Sequence, residues 1–184
     1  METCDIRAKL VESRASIGNL QSPPGPGVYC LYTKDRNEPS LRSFPDDGIL
    51  YVGRARDLGV RLHETHFRTG QSGRSSVRRS LGAILKEQLS LKAMPRNGRM
   101  TEHNCHHYQF VGNGDITLTD WMKTHLEVGV CPLSAGWKEA EAELIYELQP
   151  PLCLKEWRNP LRSLIMALRK VCADEARSWR AQDG

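Results

Sequence analysis

The sequence predicts an α/β fold: a small mixed or antiparallel sheet flanked by helices, with helical additions at both ends. Short β-branched and aromatic runs bounded by Gly and Pro alternate with stretches of helical periodicity. Two of the runs lie close enough along the chain to form a hairpin. At 184 residues the chain is long enough for one domain with a sizeable core.

Element by element, Ile6–Ala15 reads as a short helix, closed by the breaker run Ser22-Pro23-Pro24-Gly25-Pro26-Gly27. Val28–Tyr32 reads as a strand. A polar loop with Pro39, Pro45, Asp46, Asp47 and Gly48 leads to a second strand, Ile49–Val52. Asp57 can cap a helix that buries Leu58 and Leu62. Ser75 or Ser76 can cap the next, whose stripe is Val77, Leu81, Ile84 and Leu85. Beyond a loop with Pro95 and Gly98, Tyr108–Val111 is a third strand, Leu118–Leu126 a helix and Glu127–Cys131 another strand. Ser134–Leu148 is a helix, and Asn159 as cap with Pro160 at the first position opens the last one. The expected segments are residues 1–26 as an N-terminal helical extension, 27–154 as the main domain and 155–184 as a C-terminal helix.

Composition excludes some classes. The 26 Lys and Arg against 22 Asp and Glu leave a net charge of +4, which permits nucleic-acid binding without requiring it. Six cysteines are scattered with no C-x-x-C pair, and the charged start from Met1 to Ser16 holds no signal-like apolar run. Reduced thiols and a cytoplasmic location are expected. No segment approaches the roughly 18 apolar residues of a membrane span.

One carboxylate stands out. Trp137, Ala140, Leu144, Ile145 and Leu148 recur at the spacing of one helical face, and Glu141 falls inside that stripe. An ionised carboxylate facing a core is costly unless a cation, a metal or several donors meet it. Something positive is expected opposite Glu141.

Gly27-Val28-Tyr29 on the first strand, Tyr51-Val52-Gly53 on the second, and Arg61 ten positions after Tyr51 form an ordered set. With Glu141 in its helix and Pro151-Leu152-Cys153 after it, the chain resembles the GIY-YIG nuclease family from about Gly27 to Leu154. That resemblance implies hydrolysis of nucleic-acid phosphodiester bonds by a divalent-metal-dependent endonuclease, with DNA ahead of RNA as substrate. It implies Mg2+ or Mn2+ held by Glu141, a bidentate phosphate grip by Arg61, Tyr51 as general base and Tyr29 orienting water or phosphate. One carboxylate plus waters suits magnesium, and a guanidinium fork suits a phosphoryl oxygen. The metal and the cluster Arg54, Arg56 and Arg61 are expected to lower the cost of ionising a tyrosine, and Arg54 is also a phosphate-binding candidate.

Taken singly, these residues have plainer readings. Tyr29 and Tyr51 could be a cross-strand aromatic pair, and Glu141 half of a structural salt bridge. The chain also departs from the family pattern at Thr65, where members carry His or Tyr, and at Cys153, where they carry Asn. His66 is expected to substitute for the missing proton carrier if the helix ends in a frayed or tighter turn.

Arg74, Ser75, Ser76, Arg78 and Arg79 open the next helix. Arginines there oppose the helix dipole, so a nucleic-acid phosphate docked at that N-terminus is expected. His103, Cys105 and His107 would share a face on a strand and admit a zinc reading, but no second ligand pair stands at a usual spacing. A nucleic-acid-binding module with weakened catalysis and a partner-controlled defence or toxin nuclease are the alternative functions.

Overall fold

A computed structural model describes residues 3–21, 24–35 and 48–180. By contact they fall into two compact units, one from Met1–Glu64 with Met122–Pro160 and one from Thr65–Trp121 with Leu161–Gly184. The expected loop residues Pro39, Pro45, Asp46 and Asp47 lie outside the described residues.

The first unit is built on an antiparallel sheet of three strands. β1 (Gly27–Thr33) pairs with β2 (Ile49–Ala55) on one side and β5 (Leu126–Pro132) on the other. Every residue of β1 is buried, as befits a central strand covered on both faces. Val28, Cys30 and Tyr32 point to one side. There they share a core with Ile6 and Leu10 of α1 (Thr3–Glu12) and with Ala140, Leu144 and Ile145 of α6 (Trp137–Leu148). Burying each such Leu or Ile is worth about 1.5–3 kcal/mol. The N-terminal helix is therefore part of this core. It ends at Glu12, and Ala15 forms a bridge to Val128 instead of a further helical turn.

α2 (Leu58–Arg61) begins as expected: Asp57 Oδ1 accepts from Val60 N at 2.9 Å, and Leu58 and Leu62 are fully buried. It runs into a wider π-type turn, Leu62–His66. The sequence reading expected fraying or a tighter turn there.

In the second unit α3 (Ser76–Ile84) is capped by Ser75, whose Oγ accepts from Arg78 N at 3.1 Å. α7 (Arg162–Ser178) packs Ile165, Cys172, Ala173 and Ala176 inward, against α3, α4 (Glu102–His106) and β3 (Ala93–Met94). α5 (Gly114–His125) runs from this unit into the first and feeds β5.

Three sequence expectations change here. The third strand is only β4 (Gln109–Phe110), and it pairs with β3 in a separate two-stranded sheet. His103–His106 is helical rather than extended, because Thr101 caps it through a bond from Asn104 N at 3.2 Å. The last helix starts at Arg162 without a side-chain cap. Asn159 instead donates its amide to Pro151 O at 2.7 Å and Cys153 O at 3.0 Å, tying down the segment after α6.

Candidate active site

The register places Tyr29 opposite Gly53 and Leu31 opposite Tyr51. Tyr29 and Tyr51 are thus diagonal neighbours on one face of the β1–β2 pair, with ring centroids 6.0 Å apart. Gly53 makes this possible. A Cβ there would sit 2.6 Å from the Tyr29 hydroxyl and 2.6 Å from Tyr51 Cε1. Gly27 answers a second close approach, since a Cβ would collide with Cys131 O and the Leu58 side chain. The two glycines of the paired motifs are there for space, not for turns.

Arg61 comes off α2 and donates from Nε to the Tyr29 hydroxyl at 3.2 Å; it also bonds the Tyr51 hydroxyl. Burial pushes the Tyr29 phenol up to about 12, against the lowering pull of Arg61. Burial likewise holds Tyr51 well above the ordinary tyrosine value. Both are neutral at pH 7, and ionising either costs more than the ~4 kcal/mol of a free tyrosine.

From α6, Glu141 brings its carboxylate to 3.2 Å from Arg54 Nε on β2, and the Arg54 backbone N–H also donates to it. Arg54 is thus a positive group opposite Glu141, in the ion pair of the plainer reading. The carboxylate is 19% exposed, and burial raises its pKa despite Arg54 and, more weakly, Arg61. The neighbouring Glu156 adds to the rise, so desolvation and that second carboxylate together outweigh the two arginines. No group of three or more His, Cys, Asp or Glu side chains gathers among the described residues. A site of one carboxylate completed by water fits magnesium better than a metal that needs an all-protein cage.

A comparison with protein-family models matches residues 27–171 to the GIY-YIG catalytic domain. The chain belongs to the GIY-YIG family. Its tyrosine pair, Arg61 and Glu141 stand on the strands, α2 and α6 of that domain, and family membership brings nuclease-type activity in general. No curated protein and no solved structure matches the chain.

The remaining candidates of this GIY-YIG chain separate by burial. Arg54 and Arg74 are exposed and Ser76 is half-buried, open to an anion. Arg78 is not. Its side chain is fully buried and makes a 2.8 Å ion pair with Asp115, with further bonds to Ser72, Thr119 and the His66 and Asp115 carbonyls. Arg79 is 7% exposed and donates to Gly73 O at 2.9 Å. Ser75 is buried as the helix cap. Phosphate contact by Ser75, Arg78 and Arg79 is corrected on this ground: the helix start faces the interior of the second unit, and its arginines hold that interior together. His66 is fully buried too, with Nδ1 2.8 Å from Ser75 Oγ, which gives it a structural duty. Cys153, at the family's Asn position, donates its thiol to Val52 O at 3.2 Å.

Sequence reasoning missed Trp137 as a site residue. Its ring lies 5.7 Å from the Arg54 guanidinium, with Lys138 Nζ at 5.6 Å. The signal was present, because Trp137 stands one helical turn before Glu141, but in the sequence it read only as core.

Proposed function

We propose that this GIY-YIG protein is a divalent-metal-dependent endonuclease that hydrolyses phosphodiester bonds, with DNA as its substrate. The observation that carries the reading is the joint placement of Tyr29, Tyr51 and Arg61 in one hydrogen-bonded group, with Glu141 on the helix packed beside their strands. Two phenols, a guanidinium and a half-buried carboxylate are more than a structural sheet needs.

Glu141 and water would hold magnesium or manganese, which supplies Lewis-acid neutralisation of the phosphate charge. Arg61 grips a non-bridging oxygen with its fork and opposes the charge that builds there. With Arg61 and a bound cation lowering the cost, Tyr51 first gives its own proton to solvent; the phenolate then accepts the proton of the attacking water, which Tyr29 orients, and a solvent proton goes to the leaving oxygen. A new P–O bond forms, one ester P–O bond breaks, and the products are a phosphate monoester and a hydroxyl. Arg54, half-exposed, can turn from Glu141 to the substrate backbone as the anion arrives.

A binding module with weakened catalysis has its own support in Thr65 and in the buried, internally bonded thiol of Cys153. Titrating magnesium against labelled single- and double-stranded DNA and RNA separates the two. Metal-dependent fragments, lost in Glu141→Gln, support the enzyme; tight binding with no fragments at any magnesium concentration supports the module.

A further inference from the structure

The second unit holds a cavity of about 390 Å³ that the cleavage chemistry does not use. It is lined by His106 of α4 and, along α7, by Met166, Ala167, Arg169, Lys170, Ala173 and Arg177. Its volume is within the range of small-ligand pockets. Met166, Ala167 and Ala173 give it an apolar floor, and the small alanines leave the space open.

The charges around it do not balance. Lys170 pairs with Asp174 at 2.6 Å, and Arg177 is engaged by Glu102 and Asp174. Arg169 has no ion pair among the described residues. Arg79, almost wholly buried, has carbonyl partners but, among the described residues, no carboxylate, and its Nε there has no hydrogen-bond partner. Arg79 sits near enough to Arg169 and Arg96 for their repulsion, after burial, to pull its pKa down to about 10. His106 is lowered by burial first, then by Arg169 and Arg79. Asp174 and Glu102 neutralise Lys170 and Arg177, but Arg169 and Arg79, two cations in a partly desolvated place, have no carboxylate paired to either among the described residues, and an anion beside them is stabilised. The apolar floor adds a second requirement, that the anion carry a flat or apolar body. A nucleobase stacks well on a thioether or a guanidinium plane.

We propose that the α4–α7 cavity binds a nucleoside monophosphate unit, its phosphate against Arg169 and His106 and its base on Met166, Ala167 and Ala173. The unit can be a free nucleotide or one residue of a nucleic-acid strand. The proposal stands independently of cleavage, since every residue named for it is outside the tyrosine and Glu141 group.

Calorimetric titration of the full chain with dAMP, deoxyadenosine, inorganic phosphate and a five-nucleotide DNA tests it. The same titrations are run on Glu141→Gln, Arg169→Ala and Ala167→Trp. We expect dAMP to bind at least tenfold more tightly than deoxyadenosine or phosphate. Arg169→Ala should weaken it about tenfold, Ala167→Trp should abolish it by filling the floor, and Glu141→Gln should leave it unchanged. Tighter binding of the five-nucleotide DNA than of dAMP, with the same response to Ala167→Trp, identifies a strand as the source; the reverse identifies a free nucleotide. No binding of either, or binding indifferent to both cavity variants, overturns the proposal. Because the readout is binding without metal, it does not depend on whether the chain cleaves.

Discussion

The two units use arginine in opposite ways. In the first, Arg54 and Arg61 keep part of their surface open and touch groups with chemistry of their own: a carboxylate, two phenols and an indole. In the second, Arg78 is sealed away, and its ion pair with Asp115 and its bonds to the His66 carbonyl and Thr119 hold backbone and side chains in place. A run such as Arg74–Arg79 looks more like a phosphate site in one dimension than the lone Arg61 does. Charge density along a chain says little about function until burial and partners are known.

The comparison is broken most directly at Glu141. Glu141→Gln should remove metal-dependent cleavage, a loss of at least a thousandfold if the carboxylate is the sole protein ligand, while circular dichroism shows a folded chain. Its stability has a sign that can be checked. The folded-state pKa of Glu141 is raised above 4.5 by burial, so the wild type loses stability as pH rises from about 4.5 through the raised value. Thermal unfolding should therefore find Glu141→Gln the more stable protein at pH 7, with the gain vanishing below about pH 4. A variant that melts earlier than wild type at pH 7 would mean that the Arg54–Glu141 pair is a structural strut.

In the second unit the largest effect should fall on stability. Arg78→Ala leaves Asp115 buried and uncompensated, a loss of about 3–5 kcal/mol, read by urea unfolding. Arg78→Met combined with Asp115→Leu should recover much of that loss. If Arg78→Ala instead melts like wild type and weakens DNA binding, the buried placement is wrong.

Tyr51→Phe and Arg61→Lys sharpen the first unit. Each should lower the cleavage rate by about ten- to a thousandfold, with the melting temperature almost unmoved for Tyr51→Phe, since the ring still packs over Gly53. Full activity in both would reduce the likeness to one of fold. The smallest effect is expected at His66. With its ring buried against Ser75, His66→Ala should cost roughly 1–3 kcal/mol of stability, and cleavage per folded molecule should hold. A rate loss without destabilisation would restore His66 as a proton carrier.

Much of this was legible in the sequence where local rules and packing agree. The β1–β2 hairpin, the Asp57 and Ser75 caps and the Glu141 helix all carry strong local signals, and each appears where expected. Tyr29, Tyr51, Arg61 and Glu141 were singled out by the family resemblance of their ordered motifs, and Tyr29, Tyr51 and Arg61 meet in one hydrogen-bonded group. What failed to show was direction. Nothing in Arg78-Arg79 tells which way a helix N-terminus faces, because that depends on Asp115 and Thr119, some 40 residues later in the chain. The pairing of Ala93–Met94 with Gln109–Phe110 is similarly non-local, and two-residue strands carry no periodicity. Asn159 followed by Pro looked like a helix start because the competing use of its amide, at Pro151 and Cys153, is a tertiary contact.

The register of β1 against β2 has a consequence for the life of the chain in a cell. Tyr29 and Tyr51 meet only because Tyr29 stands opposite Gly53 and Leu31 opposite Tyr51. Side chains alternate along a strand, so a slip of one residue sends one tyrosine to the opposite face and brings a side chain where the glycine was. A newly made or damaged chain that zips its hairpin out of step therefore cannot bring the two phenols together beside Arg61. The Tyr29–Tyr51–Arg61 group is thus a product of correct folding, absent from any chain whose hairpin has set in another register.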